Sequence, residues 1–231
     1  MTPRRAPREI VVPHARRAEF SRRLRAWYRR HHRDLPWRRT RDPYAVLVSE
    51  LMLQQTQVAR VQEFYPRFLA RFPTLAAVAR APRARVMEAW SGLGYYARAR
   101  NLHALAKQVA RDGGSLPGDP AALRELPGVG AYTAGAVASF AYERRAALVD
   151  TNVARVLRRA FAPRLDPARA GGVRALWRLA ERLLPRDGRA VYVHNQALME
   201  LGALVCTARR AHCGACPVRA VCRTGSRAAR A

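Results

Sequence analysis

Residues 119–142 carry the sequence DPAALRELPGVGAYTAGAVASFAY, in which a turn containing proline and glycine separates two helical segments. Asp119 and Pro120 predict a helix start, because an aspartate caps free backbone N–H groups and proline suits the first helical turn. The small and apolar residues over 131–142 predict a buried second helix. The result is a helix, a hairpin over 126–130, and a second helix.

The hairpin has a glycine on each side of Val129. Gly128 and Gly130 could bring backbone N–H groups and a helix N-terminus against a phosphate without reading base sequence. A plain tight turn is the alternative interpretation.

Most of the remaining chain also has helical spacing, with no alternating strand pattern and no internal repeat, so the fold is predicted to be all-α. Asp42 and Pro43 predict another helix start, and the Gln54–Thr56 step predicts its end. Glu50 falls on the apolar face of that helix, three and four residues after Leu47 and Val46. A further helix is predicted over 58–69, with a kink at Pro66.

The chain is strongly basic, with 43 Lys and Arg against 16 Asp and Glu and a formal net charge of +27. A polyanion is the simplest partner for this charge, and nucleic acid is favoured over a membrane because no apolar stretch approaches the roughly 18 residues of a membrane span. The first 30 residues contain only a short apolar run and are interpreted as a basic, poorly ordered arm rather than a secretory signal. We expect a cytoplasmic protein.

All four cysteines lie near the C-terminus, at Cys206, Cys213, Cys216 and Cys222, in the spacing C-x6-C-x2-C-x5-C. Disulfides are uncommon in cytosolic proteins, so metal ligation is the main interpretation. Zinc sites usually pair two Cys-x-x-Cys segments, and only one is present, which favours a 4Fe-4S cluster. Zinc and four unlinked thiols are the alternatives.

Two further features have competing interpretations. Arg209 and Arg210 lie between the first two cysteines, where they could clamp phosphates or could be a solvated pair. Asp150 follows an apolar run and could cap the next helix. Together with Glu50 it could also supply the second of two carboxylates in different environments, an arrangement suited to cleaving a glycosidic bond.

Over roughly residues 20–223 the chain resembles the helix-hairpin-helix DNA glycosylases of the endonuclease III superfamily, and among them the MutY-type adenine DNA glycosylases. The strings that carry the resemblance are LPWR at 35–38, SELMLQQTQV at 49–58, GLGYYAR at 92–98, LPGVG at 126–130, NQA at 195–197 and the four cysteines. The resemblance implies two helical lobes: a six-helix barrel with the helix-hairpin-helix motif, and a domain that carries an iron–sulfur cluster. It also implies a DNA-binding cleft between the lobes. The expected divisions are 1–34 for the N-terminal arm and a helix packing with the cluster domain, 35–146 for the barrel, and 147–231 for the cluster domain.

The resemblance also assigns roles to single residues. Glu50 matches the general acid that protonates the departing adenine, and Asp150 matches the acid that stabilises the cationic sugar. Asn152 matches a residue that supports the catalytic water. Tyr132 falls where lyase members of the superfamily have their nucleophilic lysine, and is expected to hydrogen-bond Asp150.

The remaining matches concern DNA. Gln55, Thr56 and Tyr95 match residues that fill or wedge the duplex when the base leaves the stack. Matches to the lining of the adenine pocket are Arg33, Leu35, Trp37 and Gln196. For Tyr95 and Trp37 an ordinary place in the aromatic core is the alternative.

We therefore expect a monofunctional DNA glycosylase that acts as a monomer on mismatched double-stranded DNA and removes adenine opposite guanine or 8-oxoguanine. The only lysine is Lys107, so a lysine-based strand-cleaving lyase activity is not expected. Two departures favour a rival, thymine or uracil removal from G·T or G·U: Thr151 replaces a common glycine, and the chain ends nine residues after Cys222, without the family's Nudix-like domain. A non-catalytic DNA-binding module is the third possibility.

Overall fold

The computed structural model describes residues 10–168 and 171–227, and these residues are mainly helical. The α-helices are α1 His14–His31, α2 Pro43–Leu53, α3 Val58–Arg71, α4 Leu75–Arg80, α5 Arg83–Ala89, α6 Ala97–Arg111, α7 Pro120–Arg124, α8 Ala131–Phe140, α9 Thr151–Phe161, α10 Gly172–Leu183, α11 Gly188–Leu204 and α12 Arg223–Arg227. Short 3-10 turns occur at Pro36–Arg38, Cys213–Ala215 and Arg219–Val221. Within the described ranges, extended pairing is limited to one isolated bridge between Cys206 and Ala211. The predicted all-α class is confirmed.

The chain divides into two compact units. The central unit is Arg33–Arg144, and the terminal unit combines the residues up to His32 with those from Arg145 onward. Each boundary between the two units lies two residues earlier in the chain than the boundary expected from the sequence. None of the helices in the described part of the chain has both the length and the apolar character needed to cross a membrane.

The central unit is organised around α2, which is buried from Tyr44 to Met52. The side chain of Asp42 accepts hydrogen bonds from the N–H groups of Tyr44 and Ala45, so the predicted cap is confirmed. Helix α2 packs on α3, α6 and α8. Helix α8 is rich in small residues, which lets these two buried helices approach closely.

The predicted helix-hairpin-helix is formed by α7, residues 126–130 and α8. Asp119 caps α7 through the N–H groups of Ala121 and Ala122, and α8 ends at Phe140, two residues before the predicted end. Gly128 has φ +76°, and a Cβ atom there would lie 2.6 Å from the Cβ of Asn101. The hairpin therefore requires glycine at this position.

The terminal unit contains α1 and α9–α12, and α1 packs along α11. Phe20 and Leu24 of α1 are fully buried. The expectation of a poorly ordered arm is therefore wrong for residues 14–31, which form instead the expected helix that packs within this unit; residues 1–9 lie outside the described residues. Arg16 ties α1 to the end of the chain, since its guanidinium donates to the carbonyl of Val221 at 2.8 and 2.6 Å.

Candidate functional site

The central unit places the predicted acid, Glu50, in a buried position. Its side chain projects from α2 and the residue is only 3 % exposed. Tyr132, in the first turn of α8, donates its hydroxyl proton to Glu50 Oε2 at 2.9 Å. Apolar surroundings disfavour an ionised carboxyl, and a phenol is one of the few neutral groups that can orient it there. The pair is chemically suited to hold and transfer one proton.

Tyr132 was expected to hydrogen-bond Asp150. In the structure its proton is directed to Glu50, and Asp150 belongs to the terminal unit, so the expected bond to Asp150 stays a prediction.

The predicted wedge residues lie on two segments of the central unit, one after α2 and one before α6. Gln55 is exposed, and Tyr95 is 57 % exposed, so the alternative of an aromatic core place is wrong for Tyr95. Both residues have positive φ, 56° and 48°. They line one open cavity of about 430 Å³, whose other lining residues are Gln54, Tyr96, Ala97, Arg98 and Arg100.

The expected lining of a base pocket is only partly tested by the central unit. Leu35 and Trp37 are buried, and Trp37 packs edge-to-face on Tyr65 with ring centroids 5.7 Å apart. Trp37 therefore packs in the aromatic core, as the alternative interpretation of this residue predicted. Arg33 is half-buried and its carbonyl accepts from Arg38 Nη1. Assignment of these three residues to a pocket stays a prediction.

In the terminal unit, Asp150 caps α9 as predicted, and its second oxygen has a separate use. One oxygen accepts from the N–H of Val153 at 2.7 Å, and the other accepts from Asn152 Nδ2 at 2.9 Å. Asn152 in turn accepts from Arg155 Nη2 at 2.7 Å, and Arg155 Nε donates to the carbonyl of Cys206 at 2.7 Å. A chain of hydrogen bonds therefore runs from the carboxylate to the cysteine segment.

Arg155 was not predicted from the sequence. Its spacing of three residues from Asn152 on one helix was the available signal, but its other partners, the carbonyls of Cys206 and Gly202, have no signature in the sequence. The predicted Gln196 is 5 % exposed on α11, and the neighbouring Asn195 donates to the carbonyl of Ala146.

The four cysteines of the terminal unit line one cavity of about 30 Å³, together with Arg159, Arg219 and Thr224 among others. They are not disulfide-bonded. Among the described residues, no three His, Cys, Asp or Glu side chains are arranged to hold a metal ion. The thiols are therefore distributed around a space rather than gathered at a single point.

Burial raises the pKa of Cys216 to about 11 and also raises the pKa of Cys222. Thiolates there consequently need a cationic partner. Two N–H groups already point at sulfur: Arg159 Nη1 lies 3.3 Å from Cys206 Sγ, and the N–H of Gly225 lies 3.3 Å from Cys222 Sγ. Such contacts are typical of thiolates that bind a metal group. The residues present fit a cluster held by four thiolates.

The two candidate phosphate contacts remain separate features. Arg209 and Arg210 are exposed in the loop between the first two cysteines, where Thr207 Oγ1 donates to the carbonyl of Arg210. In the central unit no side chain caps α8 at Gly130, and its first turn has no acidic residue. The positive end of this helix dipole is thus left for an anion.

Comparison with known proteins gives a consistent family. Residues 48–182 match the HhH-GPD superfamily of base excision DNA repair proteins. The chain is 46% identical to adenine DNA glycosylase of Rattus norvegicus over 90% of this chain and 42% of the relative. It is 50% identical to the Mycobacterium tuberculosis enzyme of the same name over 84% of this chain and 64% of the relative. This chain thus spans less than two thirds of the length of these relatives.

Among solved structures, a thermostable thymine-DNA glycosylase is similar with a TM-score of 0.83 and 32% identity, covering 92% of this chain and 98% of that one. An endonuclease III trapped in a covalent DNA intermediate has a TM-score of 0.78 at 23% identity, covering 95% of this chain and 100% of that one. The latter likeness shows the fold alone.

Proposed function

Because the chain belongs to the HhH-GPD superfamily of base excision DNA repair proteins, we propose that it is a monofunctional DNA glycosylase that removes adenine mispaired with guanine or 8-oxoguanine. The observation that carries the proposal is the buried Glu50 carboxyl held by Tyr132 at 2.9 Å. The adenine DNA glycosylases that are 46% and 50% identical support adenine as the base.

In this mechanism two carboxylates have different tasks. Glu50, buried and bonded to a neutral phenol, delivers a proton to the departing adenine ring and so makes the base a better leaving group. Asp150 accepts from the N–H of Val153 and from Asn152, and these two bonds orient its carboxylate. Its negative charge stabilises the positive charge that develops on the sugar as the bond to the base breaks.

DNA is the proposed partner, contacted by the monomer as a mismatched duplex. The charge of +27 supports binding to phosphates, through Gly128, Gly130, Arg209 and Arg210. Gln55, Thr56 and Tyr95 are proposed to occupy the stack while the adenine is extruded, and Arg33, Leu35, Trp37 and Gln196 are proposed to line its pocket. An enzyme with this substrate acts where the genome is, so a cytoplasmic, nucleoid-associated location belongs to the proposal.

The proposed cofactor is a 4Fe-4S cluster held by Cys206, Cys213, Cys216 and Cys222. When bound, such a group supplies a rigid, cationic centre for four thiolates and can exchange an electron. The support for a cluster over zinc is that the four thiols line one cavity and are not gathered at a single point, since a zinc ion needs sulfurs about 2.3 Å from one point. Iron analysis of the purified protein tests this; one zinc and no iron per chain would contradict it.

Thymine or uracil removal from G·T or G·U is the second candidate. It is favoured by the thermostable thymine-DNA glycosylase, of which this chain covers 98%. The test is base release from otherwise identical duplexes carrying A·G, A·8-oxoguanine, T·G or U·G, with alkali added to reveal abasic sites. We expect product from the two adenine duplexes. Product from T·G or U·G alone would establish the second candidate. No product from any duplex would leave the non-catalytic DNA-binding module as the remaining hypothesis.

A further inference from the structure

Arg98 is the most extensively bonded charged side chain of the central unit, and the sequence alone assigned it no role. It lies in the first turn of α6, two residues after Tyr96, and is only 6 % exposed. No carboxylate pairs with it in the part of the chain that the structure describes. Burial lowers its pKa, yet a guanidinium remains charged in proteins, so its charge must be stabilised by neutral acceptors.

These acceptors lie on two separate segments. At the end of α2, Arg98 Nη1 donates to the carbonyls of Leu51, Met52 and Gln54 at 2.9, 2.8 and 2.5 Å. In the segment that follows α2, Arg98 Nη2 donates to Thr56 Oγ1 at 3.1 Å.

The second segment is the loop before α6. There Arg98 Nη2 donates to the carbonyl of Gly94 at 3.0 Å, and the guanidinium carbon lies 5.3 Å from the ring centre of Tyr95. One planar side chain therefore joins the segment that carries Gln55 to the segment that carries Tyr95.

Two of the bonded carbonyls belong to the peptides that directly precede Gln55 and Tyr95. The carbonyl of Gln54 belongs to the peptide before Gln55, whose φ is 56°, and the carbonyl of Gly94 belongs to the peptide before Tyr95, whose φ is 48°. A left-handed conformation is uncommon for residues other than glycine and persists only where the surroundings enforce it. Both side chains line the cavity of about 430 Å³.

We propose that Arg98 is a positioning residue that holds Gln55 and Tyr95 in their left-handed conformations, so that both are fixed before the DNA duplex arrives. The proposal rests on the proposed function for the role of these two residues in DNA. Pre-ordering of the two segments lowers the entropy that binding would otherwise cost. Arg98 itself touches neither the base nor the sugar in this mechanism.

The first test needs no DNA. Arg98→Lys keeps the charge and the stem, but a single ammonium has no planar fork with which to join two segments. The matched control is Arg111→Lys, an exposed position at the other end of α6. We expect amide hydrogen exchange over residues 54–57 and 92–97 to be about tenfold faster in Arg98→Lys than in the unmodified protein, the size expected when a charged hydrogen bond is lost. Exchange in Arg111→Lys should be unchanged.

The second test reads the DNA directly, in proteins that also carry Glu50→Gln so that the base is not released. A duplex with 2-aminopurine beside the mismatched adenine brightens when the stack opens. The Arg98→Lys protein is expected to bind this duplex with a much smaller fluorescence rise at saturation, and the Arg111→Lys protein with the full rise. A full rise with Arg111→Lys and a much smaller rise with Arg98→Lys, without base release from the same proteins when they retain Glu50, would count against the proposed function alone.

Unchanged exchange over both segments in Arg98→Lys, or an undiminished fluorescence rise, would overturn the inference. Arg98→Gln is the second variant, because a neutral amide can bond one segment but not both. Loss of the helical circular dichroism signal in both Arg98 variants would assign Arg98 to the fold as a whole and would equally overturn the positioning role.

Discussion

Glu50 is a buried carboxyl that accepts a hydrogen bond from Tyr132, and in the proposed mechanism its proton is the property on which base release depends. Glu50→Gln keeps the shape and the contact to Tyr132 but has no proton to transfer. We expect base release to fall by at least about a hundredfold, the usual contribution of a general acid, while duplex affinity changes little. Full activity of Glu50→Gln in a single-turnover assay, with affinity measured by gel shift, would show that another group is the acid.

Tyr132 determines whether the DNA strand stays intact once the base has been released. A lyase opens the sugar through a Schiff base, which needs an amine, and a phenol cannot form one. The sole lysine, Lys107, is on the exposed face of α6. Borohydride added during turnover should therefore trap no protein–DNA adduct, whereas later alkali should break the strand.

Tyr132→Lys should introduce some trapping and nicking, because the side chain starts within reach of Glu50. Lys107→Ala is the control for stray amine chemistry. Efficient trapping by the unmodified protein that survives Lys107→Ala and blocking of the terminal amine would contradict the role given to Tyr132.

At the scale of the elements, the hairpin between α7 and α8 contains a matched pair of glycines. Gly128 has φ +76° and no room for a Cβ, whereas Gly130 has φ −84° and open space around it. Gly128→Ala should lower the free energy of unfolding by about 1–3 kcal/mol, the range for an enforced strained backbone. Gly130→Ala should cost less, about 0.5–1 kcal/mol, because alanine is a poorer N-cap than glycine. Urea unfolding of both variants checks this, and equal losses would show that conformation is not the cause.

The packing of α1 on α11 has a pH dependence of its own. His194 of α11 is fully buried, with Nδ1 3.1 Å from Ser21 Oγ, and burial together with the nearby Arg25 lowers its pKa from 6.5 to about 3. Between pH 6.5 and about pH 3, the unfolded chain binds a proton at this histidine that the folded chain does not bind. Stability therefore falls as the pH drops through this range. His194→Gln cannot titrate and should lose less stability on acidification, measured as the melting temperature from pH 7 to 4. His14→Gln, on the exposed surface, should behave like the unmodified protein.

Element starts were predictable because their causes are local. Asp42, Asp119 and Asp150 each cap the helix that comes after them, and a cap needs only the next three residues. The ordered α1 was not predictable in this way, since its partners are far along the chain: Ser21 and His194 are 173 positions apart. The role of Arg98 was not predictable either, because its acceptors are mainly backbone carbonyls, which every residue has.

For the whole molecule, the charge of +27 predicts binding that depends steeply on salt. Each phosphate contact adds about 0.9 to the slope of log affinity against log salt. Arg209→Ala and Arg210→Ala should each reduce the slope on undamaged duplex by about 0.9 if they contact phosphates. Arg22→Ala, whose side chain already pairs with Glu19, is the control. An unchanged slope in both variants would leave Arg209 and Arg210 as a solvated pair.

The tie between Arg16 and Val221 has a consequence for how the protein is made. The terminal unit is assembled from both ends of the sequence around a central unit that is continuous from Arg33 to Arg144. On a ribosome, α1 emerges before the central unit with its apolar residues Phe20 and Leu24, but α11 and the carbonyl of Val221 emerge after the central unit. The central unit can fold while α1 still waits for its partners, as domains generally fold in the order of their synthesis. Translation speed over the second half of the message therefore sets how long that apolar face of α1 remains open to chaperones.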